Sequence, residues 1–155
     1  MDLTVRLAKI AEVRARIEPL LRAHWEEVAQ HRAIAPLNPC WEYYYANERI
    51  KRLVVVVAEN GADLVGYSVY FLAPMLHNMP NLLAQNDIIY IRREYRRGSL
   101  AMRLMNLGEA EAKRLGASII SMHVKVDHDF SSLLVRAGYA EIETTYSKEL
   151  TWRLA

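Results

Sequence analysis

A basic turn between a strand pattern and a helix pattern is the part of this sequence whose residue types most clearly suggest chemistry. The turn and helix start, Arg96–Ala101, read Arg-Arg-Gly-Ser-Leu-Ala. A tight turn brings backbone N–H groups together, and a helix start adds positive potential, so the pair favours binding of an anion such as a phosphate group. The alternatives are a solvated basic turn or a nucleic-acid surface. One short basic turn in a chain of net charge +2 argues against nucleic acid as the main partner.

A second group of potentially reactive side chains lies in residues 123–129, which read His-Val-Lys-Val-Asp-His-Asp. Histidine and aspartate bind metals, but this spacing lacks the helical His-x-x-x-His arrangement and no cysteine joins it. The single cysteine, Cys40, excludes an internal disulfide, and its place after Pro39 favours packing over nucleophilic catalysis. We therefore predict no metal site and no covalent enzyme intermediate.

Overall composition sets the class of protein that must position these residues. The chain has 155 residues, 52% of them hydrophobic and 25% charged, which predicts one globular domain over residues 1–155. We see no signal-peptide pattern and no apolar run near the roughly 20 residues that span a bilayer. A lone cysteine suits a reducing compartment, so we expect a cytoplasmic protein without a membrane partner.

Hydrophobic periodicity predicts an alternation of strands and helices. The segment Ala8–His31 has helical spacing interrupted by Pro19, which indicates two helices or one kinked helix. An Asn-Gly turn predicts a hairpin in the first half, and alternating strands and helices in the second half predict a parallel crossover. The simplest fold is α/β (α+β), a mixed central β-sheet with helices on both faces. The predicted strands are 3–7, 53–58, 64–73, 82–92, 118–124, 139–143 and 145–154, and the later helices are 40–51, 99–115 and 130–137.

This order of elements and the basic turn resemble the GNAT superfamily of acetyl-CoA-dependent N-acetyltransferases. The family signature is Arg/Gln-x-x-Gly-x-Gly/Ala between a strand and a helix, and Arg96 and Ala101 match it. Ser99 stands at the central Gly position, and Gly98 comes one place earlier. Because Ser is small and can cap a helix, the phosphate-binding role can survive this change. Ala137–Tyr139 also resembles the family's Gly-Phe/Tyr after the last helix.

The resemblance implies acetyl-CoA as co-substrate, bound along the strand end and the turn. The backbone of Ile91 would pair with the pantetheine arm, and the N–H groups of residues 96–101 would hold the pyrophosphate. The arginines of residues 92–97 could add charge at the outer phosphate. The implied coenzyme-binding residues are Ile89, Tyr90, Ile91, Arg96, Arg97, Gly98, Ser99, Leu100, Ala101, Asp127 and His128.

The resemblance also implies a general base, because acetyl transfer needs a neutral amine. Asp87 lies four residues before Ile91, where members of this family often carry a catalytic carboxylate. Period-two alternation places Asp87, Ile89 and Ile91 on one face. Neighbouring apolar residues would partly desolvate the carboxylate and make it a better base. The alternative is an aspartate that caps a loop or pairs with an arginine.

Other proton carriers are less clearly indicated. The family often has a tyrosine near the leaving thiol, but Leu134 stands at that position. Tyr146, in the predicted last strand, is our candidate acid, with simple packing as the alternative. His77 lies in the loop before the Asp87 strand and suits proton relay or acceptor binding, unless it is an ordinary exposed histidine.

An aromatic cluster in the predicted helix 40–51 is the candidate acceptor surface. Trp41, Tyr44 and Tyr45 could bind an amphipathic or cationic ligand, or they could be core and rim packing. The acceptor would be a small-molecule or protein amine, and an exposed last strand could form a homodimer. The alternative function is a catalytically weak GNAT-like module that binds a macromolecular partner, as the displaced Gly and the missing Tyr suggest.

Overall fold

The computed structural model describes residues 3–150, and within that range five strands form one sheet in the order β1-β2-β3-β4-β5. The first four strands pair antiparallel, and β4 pairs parallel with β5. The strands are β1 (Leu3–Leu7), β2 (Leu53–Asn60), β3 (Asp63–Pro74), β4 (Leu82–Ile91) and β5 (Ala117–Ser121). The helices are α1 (Ile10–Val28), α2 (Trp41–Arg49), α3 (Leu100–Arg114) and α4 (Ser131–Arg136), with a 3-10 turn at Arg93–Tyr95.

Helices cover both faces of this mixed sheet, which confirms the predicted fold class. The face under α1 and α2 has a core that includes Val13, Ile17 and Tyr67. The opposite face packs against α3 through Val56 and Leu104, among others. The β-branched run in β2 supplies both cores, because alternate side chains of a strand point to opposite faces. As predicted, α3 is the crossover between the parallel strands β4 and β5.

Helix α1 runs as one helix through Pro19, rather than as two helices. A proline ring removes one N–H from the helix ladder, which favours a break. Ile17, Leu20 and Leu21 flank the proline and are buried against the sheet. Their burial favours a continuous helix, since most helical stability in proteins comes from packing of the apolar face.

The predicted pair of final strands is wrong over the residues described. Tyr139–Glu143 and residues 145–150 have no strand pairing, while residues 151–154 lie outside the described range. The alternating pattern suggested strands, but a strand also needs a partner edge and an apolar surface to cover. Instead, side chains of this segment such as Ile142 and Leu150 are exposed. The side chains of Ser147 and Glu149 hydrogen-bond to His31, in the turn after α1.

Candidate acetyl-transfer site

A β-bulge in β4 decides where Asp87 points. The register pairs Asn86 with Tyr70 and Ile88 with Val69, which leaves Asp87 as the extra residue. The Asp87 carboxylate therefore lies on the α2 face, where it accepts a 2.6 Å hydrogen bond from the hydroxyl of Tyr44. Ile88 follows on the same face. The predicted alternation with Ile89 and Ile91 is wrong, because Ile91 packs into the α3-side core.

The expected desolvation of Asp87 is also wrong, since its side chain is exposed. Its hydrogen-bond partner, Tyr44, is the partly buried side chain of the pair. Desolvation, followed by the nearby Asp87 carboxylate, holds the pKa of Tyr44 well above its ordinary value. The phenol therefore stays protonated and acts as a fixed donor to the carboxylate.

Beyond Gln85, β4 and β5 separate and open a cleft in the sheet. The two strands pair only from Leu82 to Gln85 on β4. The side chain of Asn86 then accepts a hydrogen bond from the backbone N–H of His123, at the point where the strands part. Because β5 leaves β4 here, the last residues of β4 present an edge that no other described strand covers.

The orientation of this edge follows from the ladder with β3. The N–H of Arg92 donates to the carbonyl of Val65 at 2.9 Å, so the peptide groups of Arg92 point toward β3. Peptide groups alternate along a strand, and those of Ile89 and Ile91 therefore point into the cleft. The Ile91 carbonyl already accepts a 2.7 Å bond from Nε of Arg96.

A turn and a helix start at the end of β4 gather free N–H groups. Gly98 has φ +74°, a left-handed conformation that favours glycine, and a Cβ there would meet nothing within 4 Å. The first backbone N–H that bonds back into α3 is that of Arg103, which donates to the Ser99 carbonyl. In the described range, the N–H groups of residues 97–102 have no acceptor, so they can bind an anion. The Ser99 side chain makes no cap hydrogen bond.

The side chain of Arg96 is committed within the protein. Its two terminal nitrogens each lie 2.7 Å from an oxygen of Glu27, near the end of α1. The guanidinium also lies over the Tyr90 ring, 5.4 Å from its centre. Arg96 thus ties α1 to β4 and to the turn, while Arg97 and Gly98 remain exposed.

The cleft has a volume of about 580 Å³ and lies between the end of β4, α1 and the segment before α4. Of the residues predicted to bind a coenzyme, Ile89, Tyr90, Ile91, Arg96, Ala101, Asp127 and His128 line it. The predicted residues Arg97, Gly98, Ser99 and Leu100 form the neighbouring turn and helix start.

His24 lines the same cleft, and sequence reasoning missed it. Its ring lies 5.1 Å from the Tyr90 ring, centre to centre. Burial lowers the pKa of His24 to about 4, and the nearby Arg96 reinforces this, while Glu27 opposes it. The imidazole is therefore neutral at neutral pH. The sequence of α1 alone does not indicate a functional role for His24, because the residues that contact it lie in β4 and in the turn after β4.

A second cavity, of about 300 Å³, adjoins the cleft and is lined by Phe71, Gln85, Asn86, Asp87 and His123. Asn86, Asp87 and His123 line both cavities. The side-chain amide N–H of Gln85 donates to Nε2 of His123, so a neutral His123 carries its proton on Nδ1. The sequence pattern indicated a metal ligand as the one functional role for His123. No group of three potential metal ligands is found in residues 3–150.

The remaining predicted site residues divide between this region and the outer surface. Tyr44 lies 5.3 Å from Phe71 and 5.4 Å from Trp41, ring to ring, so it continues the wall of the smaller cavity. Tyr45 instead contacts Arg14 on α1. His77 is exposed between β3 and β4 and lines neither cavity. Tyr146 is 91% exposed, in the segment after α4.

Comparison with known proteins identifies the family of the chain. The model of the acetyltransferase (GNAT) family matches residues 16–139, most of the chain. This chain belongs to the GNAT acetyltransferase family. It is therefore an acyltransferase of the acetyl-CoA-using type. No helix in the described range is long and apolar enough to cross a membrane.

Solved structures share the fold at low sequence identity. A ribosomal-protein-alanine N-acetyltransferase from Brucella melitensis is 17% identical with a TM-score of 0.70, covering 96% of this chain and 99% of its own. An aminoglycoside acetyltransferase from an uncultured soil metagenomic sample is 16% identical with a TM-score of 0.75, and the match covers 97% of this chain and 100% of that protein's chain. AAC(6')-Iy, in complex with a bisubstrate analogue containing CoA, is 11% identical with a TM-score of 0.66, covering 98% and 100%. No curated protein matches the chain.

Proposed function

We propose that this GNAT protein transfers the acetyl group of acetyl-CoA directly to a primary amine, with the two substrates meeting beside Asp87. The observation that carries this proposal is the junction of two cavities at Asn86, Asp87 and His123. The larger one ends at a helix start with free N–H groups, as a nucleotide phosphate requires. The smaller one has a carboxylate and an aromatic wall, as a cationic amine requires.

The coenzyme would lie along the open edge of β4. Donors at residues 97–102 suit its pyrophosphate, and the inward peptide groups of Ile89 and Ile91 suit an amide-containing arm. Exposed Arg97 can reach an outer phosphate, whereas Arg96 acts by fixing the turn. Asp127 and His128 line the opposite wall of the cleft. Acetyl-CoA supplies the acetyl group as a thioester, whose C–S bond breaks as the new C–N bond forms.

Asp87 would accept the proton that the amine must lose. The hydroxyl of Tyr44 fixes one oxygen of this carboxylate, which leaves the other oxygen to accept the proton. The leaving thiolate needs a proton in return. His123 lies at the junction itself, which supports its imidazolium form, with the oxygen of the Gln85 amide turned toward Nε2, as the donor ahead of the predicted Tyr146 and His77, neither of which lines either of these two cavities. Comparing His123→Gln, Tyr146→Phe and His77→Gln separates these roles, because only loss of the true donor lowers kcat while coenzyme affinity is kept.

The alternative is a weakly catalytic module that binds a macromolecular partner. Ser99 in the signature and Leu134 in place of a family tyrosine support it. If Asp87→Asn keeps the full biological effect, this alternative is correct. If the substitution abolishes turnover but keeps coenzyme affinity, the proposed enzymatic function is correct.

We also propose a cytoplasmic homodimer. Among the described residues β5 is an edge strand, and Ile119 on it is 47% exposed. Residues 139–150 have the alternating pattern of a strand and lack a partner in the described chain, so they could pair with such an edge. Light scattering after gel filtration tests this, with twice the mass of 17.9 kDa expected.

Titration calorimetry with acetyl-CoA, followed by a thiol-release assay on a panel of amines, tests the enzymatic proposal. We expect coenzyme binding with micromolar to submillimolar affinity and amine-dependent thiol release. Absence of heat at millimolar acetyl-CoA would refute it.

A further inference from the structure

We propose that the acceptor is a small primary amine with a single positive charge and a flat apolar body. This inference rests on the proposed acetyl transfer and specifies its second substrate. The evidence comes from the smaller cavity, and concerns its charge, its aromatic wall and its size.

The charge of the cavity fits one ammonium group. Asp87 is the only acidic side chain among its five lining residues, and none of the five is a lysine or an arginine. Gln85 and Asn86 are neutral, and both already bond to His123. A second ammonium group would therefore find no second carboxylate in the cavity and would gain no ion pair there. Polyamines and aminoglycosides carry several such groups.

The aromatic wall of the cavity fits a flat apolar body. Phe71 lines the cavity, and the rings of Tyr43 and Tyr44 each lie 5.3 Å from it, centre to centre. Phe71 is half-buried, so part of its side chain is accessible to a ligand in the cavity. Aromatic faces attract planar apolar groups and cations, so a ligand with its ammonium at Asp87 and a ring on Phe71 satisfies both.

The size of the cavity favours a small acceptor. Its volume of about 300 Å³ lies at the lower end of the range for small-molecule pockets. A simple arylalkylamine fits that volume, whereas a multi-ring aminosugar would have to extend into solvent. At its inner end the cavity meets the larger cleft beside Asn86, which is 5% exposed and held by the N–H of His123.

The test is a comparison of kcat/KM for thiol release with phenethylamine, butylamine, putrescine, kanamycin and a short peptide with a free N-terminus. We expect phenethylamine to exceed each of the others by about tenfold or more. An equal or higher kcat/KM for butylamine, putrescine, kanamycin or the peptide would overturn the inference while leaving acetyl transfer intact. Lack of acetyl-CoA binding by calorimetry would instead refute the proposed function, so the two failures are distinguishable.

Two substitutions test the same inference within the site. Phe71→Leu should raise KM for phenethylamine about tenfold with little change for butylamine, and Leu76→Ala, at a residue 82% exposed outside the cavity, should change neither. Gln85→Glu adds a second carboxylate, and should increase the putrescine-to-phenethylamine ratio of kcat/KM about tenfold. An unchanged ratio in Gln85→Glu would overturn the single-charge part of the proposal, and an unchanged KM for phenethylamine in Phe71→Leu would overturn the flat-body part.

Discussion

His24 should make the folded protein sensitive to mild acid. Its ring is packed on Tyr90 in the wall of the larger cleft, and burial lowers its pKa from 6.5 to about 4. Glu27 opposes this change, whereas Arg96, Lys125 and His128 reinforce it. The unfolded chain thus binds a proton at His24 below pH 6.5, and the folded chain does so only near pH 4. Stability from this residue is present at neutral pH and is lost as the pH falls through that window.

The size of the effect follows from the two pKa values. Linkage gives a loss of about 2 kcal/mol between pH 7 and pH 5 from His24 alone, rising to about 3 kcal/mol below pH 4. His24→Phe keeps a ring against Tyr90 and removes the titrating group. Between pH 7 and pH 5 the free energy of unfolding of this variant should therefore fall by about 2 kcal/mol less than that of wild type.

Urea unfolding at pH 7 and pH 5 measures both proteins under matched ionic strength. Carboxylates that titrate in this range are common to the two chains, so the difference between them isolates His24. A second variant, His24→Gln, guards against poor packing of phenylalanine. Equal pH dependence in all three proteins, or an NMR titration of the His24 ring with a midpoint near 6.5, would refute the reasoning.

Two further substitutions probe the framework of the coenzyme site. Gly108→Ala should gain about 1 kcal/mol of helix propensity but lose more stability through a clash, since the new Cβ would lie 2.5 Å from Cε2 of Tyr70. We expect urea unfolding to show a net loss of about 1–2 kcal/mol in the free energy of unfolding. A stability equal to or above that of wild type would contradict the packing. Asn106→Ala on the exposed face of α3 is the matched control and should be neutral or slightly stabilising. Arg96→Met should cost about 1–3 kcal/mol and weaken acetyl-CoA binding, because it frees both Glu27 and the turn. A double-mutant cycle with Glu27→Gln checks this, and a coupling energy near zero would show that the pair does not hold the site.

Local chemistry was sufficient to predict the strand–turn–helix unit around Gly98 and the order of elements through α4. Gly98, the arginines and the helical pattern after them lie within a few residues of one another, and their effects are local. The same is true of the hairpin, where an Asn-Gly turn joins two apolar runs.

Side-chain direction and long-range contacts could not be predicted in this way. The face of the sheet on which Asp87 lies depends on a β-bulge. That bulge is set by the register between β3 and β4 rather than by the β4 sequence alone. His24 and His123 reach the site through contacts with distant strands. The final segment has a strand pattern, but pairing also requires a free edge, which sequence alone does not locate.

The most direct measurement of the central claim separates coenzyme binding from acetyl transfer at Asp87. Asp87→Asn should bind acetyl-CoA within about threefold of wild type, and should lose about 100-fold or more in kcat with the best amine of the panel. Asp63→Asn, at an exposed aspartate that lines neither cavity, should match wild type in both. Full turnover by Asp87→Asn would contradict the assignment of Asp87 to the chemical step, and absence of acetyl-CoA binding by the wild-type chain would contradict the account of the cleft itself.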